Sequence, residues 1–319
     1  MTDPRALWHT SSNDSVLRNV SADTKPGYCT VQALYSLVST GTERLVATGH
    51  VPASLYDAMR VPYMEGQFSF PIKYGYSLVG RVLKGTEEYQ GKLVHLLHPH
   101  QDLCTVRETD VFVISEEVPP LRATLASNLE TALTALWDAR VSVGDSVLVV
   151  GFGMIGALVA RLLRAIPAVS LFVLDPDPQR RAMAEQAGFT VITSAKQGFD
   201  IAFHSSSHKA GLQASIDAVG QEGTVIELSW YGNQPVRVHL GESFHHQRKR
   251  IISSQVSSLP ADRCARWNFR RRKEVVFELL KDEVFDSHIT EVVPFEQLSE
   301  LFTRIRQGDR SALGWAVRY

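Results

Sequence analysis

Cysteine is scarce in this 319-residue chain: Cys29, Cys104 and Cys264 are the only three, widely spaced and odd in number. That count excludes a disulfide framework and suits reduced thiols, so the expected location is cytoplasmic. Net charge is also nearly absent, with 33 Lys and Arg against 34 Asp and Glu, which removes any global attraction to nucleic acid or to a membrane surface. No long apolar run survives inspection. The longest, residues 147–163, is broken by a glycine turn and by Arg161, so it reads as strand plus helix rather than a membrane span. The opening residues MTDPRALWHTSSND lack the apolar core of a secretory leader. Internal repeats and low-complexity tracts are absent too. What remains is an ordinary soluble composition, long enough for two domains.

One stretch organises the rest. Residues 147–150 form a short apolar run suited to a buried parallel strand, followed by Gly151, Gly153 and Gly156 in G-x-G-x-x-G spacing. Gly151 permits a tight turn, Gly153 admits a pyrophosphate to the backbone, and Gly156 lets the following helix pack on the strand. That helix begins at Met154 and Ile155, whose free N–H groups and dipole end face the phosphates. A second strand, 169–174, ends at Asp175, 19 residues past Gly156, where a carboxylate binds adenosine ribose hydroxyls. A dinucleotide site is expected, with NAD(H) favoured over NADP(H) because Asp175 repels an added ribose phosphate. Arg180 and Arg181 are the opposing signal; Arg180 is equally able to hold a ribose hydroxyl or Asp175 itself.

The flanks differ in texture. Over residues 1–120, short β-rich runs (29–38, 77–82, 93–97, 111–114) are separated by Gly, Pro and Asp, which suggests a mostly antiparallel β domain. Helical spacing at 124–139 leads into the second domain. From 147 onward strands and helices alternate (178–186 helix, 190–193 and 200–204 strands, 210–219 helix, 223–230 and 251–256 strands), the pattern of an α/β doubly wound parallel sheet. A tail with a helix near 273–280, a strand near 289–293, a helix over 294–305 and a strand at 313–317 is expected to rejoin the first domain. The division expected is 1–120, 121–261 and 262–319, with the cofactor domain inserted and a cleft beside it.

This order, with STGTE at 39–43, GYSLVGRV at 75–82, ETALTALWDA at 130–139, GFGMIG at 151–156 and ITEVVPFEQLSELF at 289–302, resembles the medium-chain dehydrogenase/reductase superfamily, the alcohol-dehydrogenase-like enzymes. STGTE and G-Y-x-x-V-G are locally similar to the branch that includes the bacteriochlorophyllide hydroxyethyl dehydrogenase. The resemblance implies a GroES-like β domain, a Rossmann domain and a nicotinamide contact at Thr131. The cofactor set is then Thr131, Gly151, Gly153, Met154, Ile155, Gly156, Asp175, Arg180, Ser205 and Ser254.

Departures from that family concern zinc. Its ligand positions fall on Ser39 or Thr40, on Tyr76, and near Ser127 or Asn128, none a good zinc ligand, and the four-cysteine structural lobe is missing. His95, His98 and His100 are close together, but only His98 and His100 would share a strand face, Pro99 between them argues against a regular strand, and no third ligand is placed, so no metal is expected. Without a Lewis acid, a donor or proton relay must manage the substrate oxygen. Candidates are Tyr76, as donor or as an aromatic filling the vacated space, and Glu43, Asn128 and Glu130, as cleft groups or as helix caps and ion pairs. A basic cluster, Arg248 to Arg250 and Arg263 to Lys273, reads as a solvated face, against a dimer surface or an anion site. The expected function is zinc-independent, NAD(H)-dependent hydride transfer to or from an alcohol/carbonyl pair or activated double bond of a small-molecule substrate. A catalytically silent NAD(H)-binding sensor or assembly protein is the alternative. Nucleic acid and membranes are not expected partners; relatives' pairing through the edge of the cofactor sheet leaves a homodimer open.

Overall fold

The computed structural model describes residues 3–21, 25–194 and 196–319, in two compact units: 1–127 with 277–319, and 128–276. In chain order the first unit contributes β1 (Arg5–Ser11), β2 (Asp14–Asn19), β3 (Tyr28–Val38), α1 (Thr40–Ala47), β4 (Glu65–Gly66), β5 (Ile72–Lys73), β6 (Leu78–Lys84), β7 (Leu93–Leu96), β8 (Leu103–Arg107), β9 (Val111–Val113) and α2 (Pro120–Ala123). The second carries α3 (Ala126–Ala139), β10 (Ser146–Val150), α4 (Met154–Leu163), β11 (Ser170–Leu174), α5 (Pro178–Gln186), β12 (Thr190–Ile192), β13 (Phe199–His204), α6 (Lys209–Ala218), β14 (Val219–Glu227), α7 (Ser243–His246), β15 (Arg250–Ser253) and α8 (Phe269–Leu279). The tail adds β16 (Glu291–Pro294), α9 (Leu298–Arg306) and β17 (Trp315–Arg318) to the first.

Both crossings lie later than the sequence punctuation suggests, for identifiable reasons. Short α2 stays with the first unit because the buried Arg122 bonds Asp286 through Nε and Nη2, both at 2.7 Å, and the carbonyl of Lys281 at 2.9 Å. Residues 262–276 stay with the second because Arg272 and Lys273 both pair with Glu130, and Trp267 packs on Trp137 with ring centroids 4.7 Å apart.

In the first unit a seven-stranded sheet runs β16-β17-β3-β6-β7-β9 with β8 also on β3, beside a four-stranded sheet β2-β1-β5-β4. β17 lies antiparallel on β3, Trp315 opposite Val38, so the tail does return to the first unit's sheet. Trp315, Phe295 and Phe302 are at most 1% exposed and form the centre of the core beneath it. Strands β1, β2 and β8 and helix α1 have no counterpart in the sequence segments. α1 is only eight residues long, and its first turn is held locally: Glu43 Oε1 reaches back to accept from the Ser39 N–H at 2.8 Å.

The second unit is a six-stranded parallel sheet in the order β12-β11-β10-β13-β14-β15. Reading outward from β10, the order reverses between β10 and β13, and the carboxyl ends of those strands open the crevice where such sheets bind ligands. Val147, Leu148 and Val149 on β10 are fully buried, as an internal strand covered on both faces requires.

Candidate functional site

The glycine turn in the second unit has the geometry that a dinucleotide needs. Gly151 sits at φ +97°, and a Cβ there would lie 2.9 Å from the backbone of Ser206. A Cβ on Gly156 would come within 1.9 Å of the Gly151 carbonyl oxygen, so no other residue fits without moving the backbone. At Gly153 a Cβ would meet nothing, which leaves open space over the start of α4. No side chain caps that helix, so its first N–H groups, at Met154 and Ile155 among them, are presented to that space. Asp175 closes β11 and is 8% exposed. Its Oδ2 accepts from Phe152 N–H at 2.7 Å and its Oδ1 from Asp177 N–H at 2.9 Å, which fixes the carboxylate beside the turn. The residues present therefore fit a dinucleotide.

The remaining cofactor candidates take varied places. Arg180 is buried on α5, with Nη1 at 3.7 Å from Met183 Sδ. Arg181 donates to the carbonyls of Asp175 and Pro176 at 3.1 and 2.7 Å and so braces the strand end. Ser205 hydroxyl donates to the Gly151 carbonyl at 3.0 Å, holding the turn from behind. Ser254 hydroxyl donates to Asp138 at 2.6 Å, and burial raises the Asp138 pKa. Thr131 is half-buried on α3. Asn128 is third in that helix, inside it rather than ahead of it as a cap. Glu130, 7% exposed at its side chain, pairs with Arg272 and Lys273, each at 3.2 Å. That engagement favours the ion-pair reading over the base reading, and the pair is buried rather than superficial.

The same contacts revise the reading of the basic cluster as a solvated face. Arg272 and Lys249 are buried, the latter donating to the Ile216 carbonyl at 2.7 Å. Arg263 and Arg271 stack on Trp137 and Trp267 at 4.8 and 4.0 Å from the ring centres. Delocalised guanidinium groups stack on indoles at little desolvation cost, which a count of charges does not reveal.

In the first unit the residues at the zinc positions form a different network. Tyr76 keeps part of its surface exposed, but its hydroxyl bonds the Ser39 and Thr42 side chains, and burial followed by the Glu43 charge pushes its pKa up to about 12. Glu43 is fully buried, and its Oε2 lies 2.8 Å from His100 Nε2. His100 Nδ1 lies 2.7 Å from Ser36 Oγ, which lies 2.8 Å from the Tyr319 hydroxyl. The three neighbouring histidines thus part company. His100 joins this chain; His95 Nε2 lies 3.2 Å from Ser77 Oγ; His98 Nδ1 donates to the Pro99 carbonyl at 2.8 Å while its ring stacks on Tyr63. Among the described residues no three His, Cys, Asp or Glu side chains cluster as a metal site, and the residues at the zinc positions do not fit that ion. Sequence reasoning missed Ser36 and Tyr319, which carry no motif, and assigned His100 only to a histidine run.

Comparison with models of known families finds no match. Among curated proteins, the chain is 27% identical over 163 residues to D-guloside 3-dehydrogenase of Escherichia coli, covering 47% of each. It is 26% identical over 143 residues to (R,R)-butanediol dehydrogenase of Bacillus subtilis, covering 40% of this chain and 41% of that one. These matches span about half the length of the curated relatives. Among solved structures, 2R,3R-butanediol dehydrogenase from Bacillus subtilis superposes with a TM-score of 0.80 at 17% identity, over 99% of this chain and 100% of that one. A putative zinc-binding dehydrogenase from Sinorhizobium meliloti, bound to NADP, gives 0.79 at 15% identity over the whole of both chains. The chain is similar in sequence to zinc-type alcohol-dehydrogenase-like proteins and shares the fold of these solved dehydrogenases, a GroES-like unit and a Rossmann unit, while its residues at the expected zinc positions are not zinc ligands.

Proposed function

We propose that the protein is an NAD(H)-dependent oxidoreductase, independent of zinc, that interconverts an alcohol and a carbonyl, or reduces an activated double bond, on a small molecule. The observation that carries the reading is the glycine turn: Gly156 tight against the Gly151 carbonyl, Gly153 open, and Asp175 pinned at the end of β11. When bound, the nicotinamide supplies or accepts a hydride. Phe152 N–H and Asp177 N–H orient the Asp175 carboxylate for ribose hydroxyls, and its charge disfavours a ribose phosphate. Tyr76 is neutral at working pH, since its pKa is raised, and donates to a substrate oxygen as charge builds there. Ser39 and Thr42 hold its hydroxyl, and Glu43 holds Ser39 in turn.

The test uses protein purified without a metal-binding tag and dialysed against chelator, titrated with NADH by fluorescence and then assayed with aldehydes, ketones and enones for NADH consumption. Expected are binding, turnover that survives chelation, and a Tyr76→Phe variant with lower kcat and unchanged NADH affinity. Stoichiometric zinc with loss of turnover on chelation overturns zinc independence. Tight NADH binding with no turnover on any substrate favours the silent sensor.

A further inference from the structure

A second buried polar array lies in the Rossmann unit, where sequence motifs point to nothing. His204, fully buried, ends β13; it pairs in register with Val150, the residue before Gly151, on one side and with Glu227, the last residue of β14, on the other. Its Nδ1 is 2.9 Å from both Glu227 carboxylate oxygens, and its Nε2 is 2.7 Å from Ser206 Oγ. Glu227 also accepts from the Ser229 N–H at 2.7 Å and the Tyr231 hydroxyl at 3.0 Å. Burial alone would raise its pKa, but the hydrogen bonds from His204 and from Ser229 hold it below the ordinary carboxylate value. Space around the array is tight: a Cβ on Gly211 would meet Ser206 Oγ at 2.3 Å and His204 Nε2 at 2.8 Å, so neither group has room to turn toward α6.

The directions of these bonds follow from the chemistry. An ionised carboxylate only accepts, so Nδ1 carries the proton and Nε2 of a neutral ring offers a lone pair. Ser206 must then give its hydroxyl hydrogen to Nε2. Its oxygen accepts from the His208 N–H at 3.3 Å and retains one lone pair. Ser206 is partly exposed, and its backbone packs 2.9 Å from where a Gly151 side chain would stand, which is the mouth of the β10/β13 crevice. A plain helix cap does not account for the arrangement, because α6 is already capped by the His208 ring accepting from Ala210 N–H.

We propose that Ser206 binds a ribose hydroxyl of the dinucleotide as a hydrogen-bond acceptor, with His204 and Glu227 as positioning residues that fix its polarity. The proposal rests on the NAD(H) reading above. A phosphate oxygen brings no proton to an acceptor, so the partner is a donor; of the donors a dinucleotide carries (ribose hydroxyls, adenine amine and nicotinamide carboxamide), the ribose hydroxyls are the ones bonded next to the pyrophosphate that the Gly151 turn faces. The groups facing His204 are Glu227 from β14 and the Tyr231 phenol and Ser229 after it; β10 presents Val150 and α6 presents Gly211, both uncharged, with the His208 ring engaged at the cap.

The experiment measures affinity for NADH and for ADP-ribose on wild type, Ser206→Ala and His204→Asn, with melting temperatures to confirm folding. Expected is a loss of about fivefold for both ligands in Ser206→Ala, the worth of one neutral hydrogen bond. His204→Asn, which removes the acceptor that orients the Ser206 hydroxyl, should weaken both ligands as well, by less. Unchanged binding by Ser206→Ala overturns this inference and leaves the cofactor reading intact. A loss for NADH alone moves the contact to the carboxamide and also overturns it. Wild type that binds neither ligand overturns the NAD(H) reading and this inference together.

Discussion

The glycine turn at 151–156 and the segment at 39–43 answer the same demand, holding a reactive group in place, by opposite means. At the turn the backbone does the holding, and steric exclusion sets the residue: the Gly156 Cβ position is 1.9 Å from a carbonyl oxygen. At 39–43 side chains do the holding, and a buried carboxylate, Glu43, is satisfied by Ser39 and His100. A backbone cradle tolerates almost no change while it keeps its ligand. A side-chain site can exchange ligands for a hydrogen-bonded network and still pack. The dinucleotide geometry thus goes together with Ser39 or Thr40, Tyr76, and Ser127 or Asn128 at the positions where the family resemblance would place zinc ligands.

The largest expected effect breaks the first half of that contrast. Gly156→Val should lose NADH affinity by more than about a hundredfold and destabilise the protein by several kcal/mol, because the added atoms meet backbone. Gly153→Ala sharpens it, since the fold has room for the methyl group. Its urea midpoint should stay near wild type while NADH affinity falls about tenfold or more, from the pyrophosphate side only. Equal urea midpoints for the two variants would remove the steric account of the turn.

Next in size is Glu43→Ala, which strands the Ser39 N–H and His100 Nε2 in a buried site. A cost of about 3 kcal/mol in chemical denaturation is expected, and a change under about 0.5 kcal/mol would show that the network is ornamental to stability.

A smaller effect concerns acid. Burial is the first cause that lowers His98 and His9 to about 3 from 6.5, so between those values only the unfolded chain takes up the protons. Stability is then complete above 6.5 and falls as pH drops through that window, by up to about 1.4 kcal/mol per pH unit for each group. Urea midpoints across the window should show the slope, and His98→Gln should remove about half of it. A slope unaltered in that variant would assign the acid sensitivity elsewhere.

Smallest is cofactor choice. Wild type should prefer NADH to NADPH by about tenfold, roughly 1.4 kcal/mol, and Asp175→Ser should narrow that gap. Tighter NADPH binding by wild type would mean that Asp175 does not face the ribose.

Much of the architecture was readable because apolar period and glycine spacing report directly on buried strands and turns; the strand at 147–150 and the helix after it lie where those signals put them. α1 escaped because eight residues give barely two turns over which to read a period, and its start is marked by the Glu43 contact with the Ser39 N–H rather than by an apolar signal. The site was less legible for a different reason. Ser36, His100 and Tyr319 meet from positions 64 and 283 residues apart, and His204 meets Glu227 across two strands. Such partnerships depend on sheet register, which no local pattern encodes. The helix tying Arg272 to Glu130 shows the same limit, since a run of positive charge says nothing about which member turns inward.

The pairing of β17 with β3 also has a consequence for the newly made chain. Residues 28–38 leave the ribosome early, yet their sheet neighbour at 315–318 follows only after the Rossmann unit has been synthesised. At about 5–20 residues per second that interval is on the order of tens of seconds. Toward its end the β3 edge at Val38 and Leu37 still has no Trp315 or Ala316 to pair with, while the parallel sheet of the second unit has every strand it needs. Nascent molecules should therefore pass through a state with a finished insert and an open host, and that state is the one a chaperone or a protease would meet.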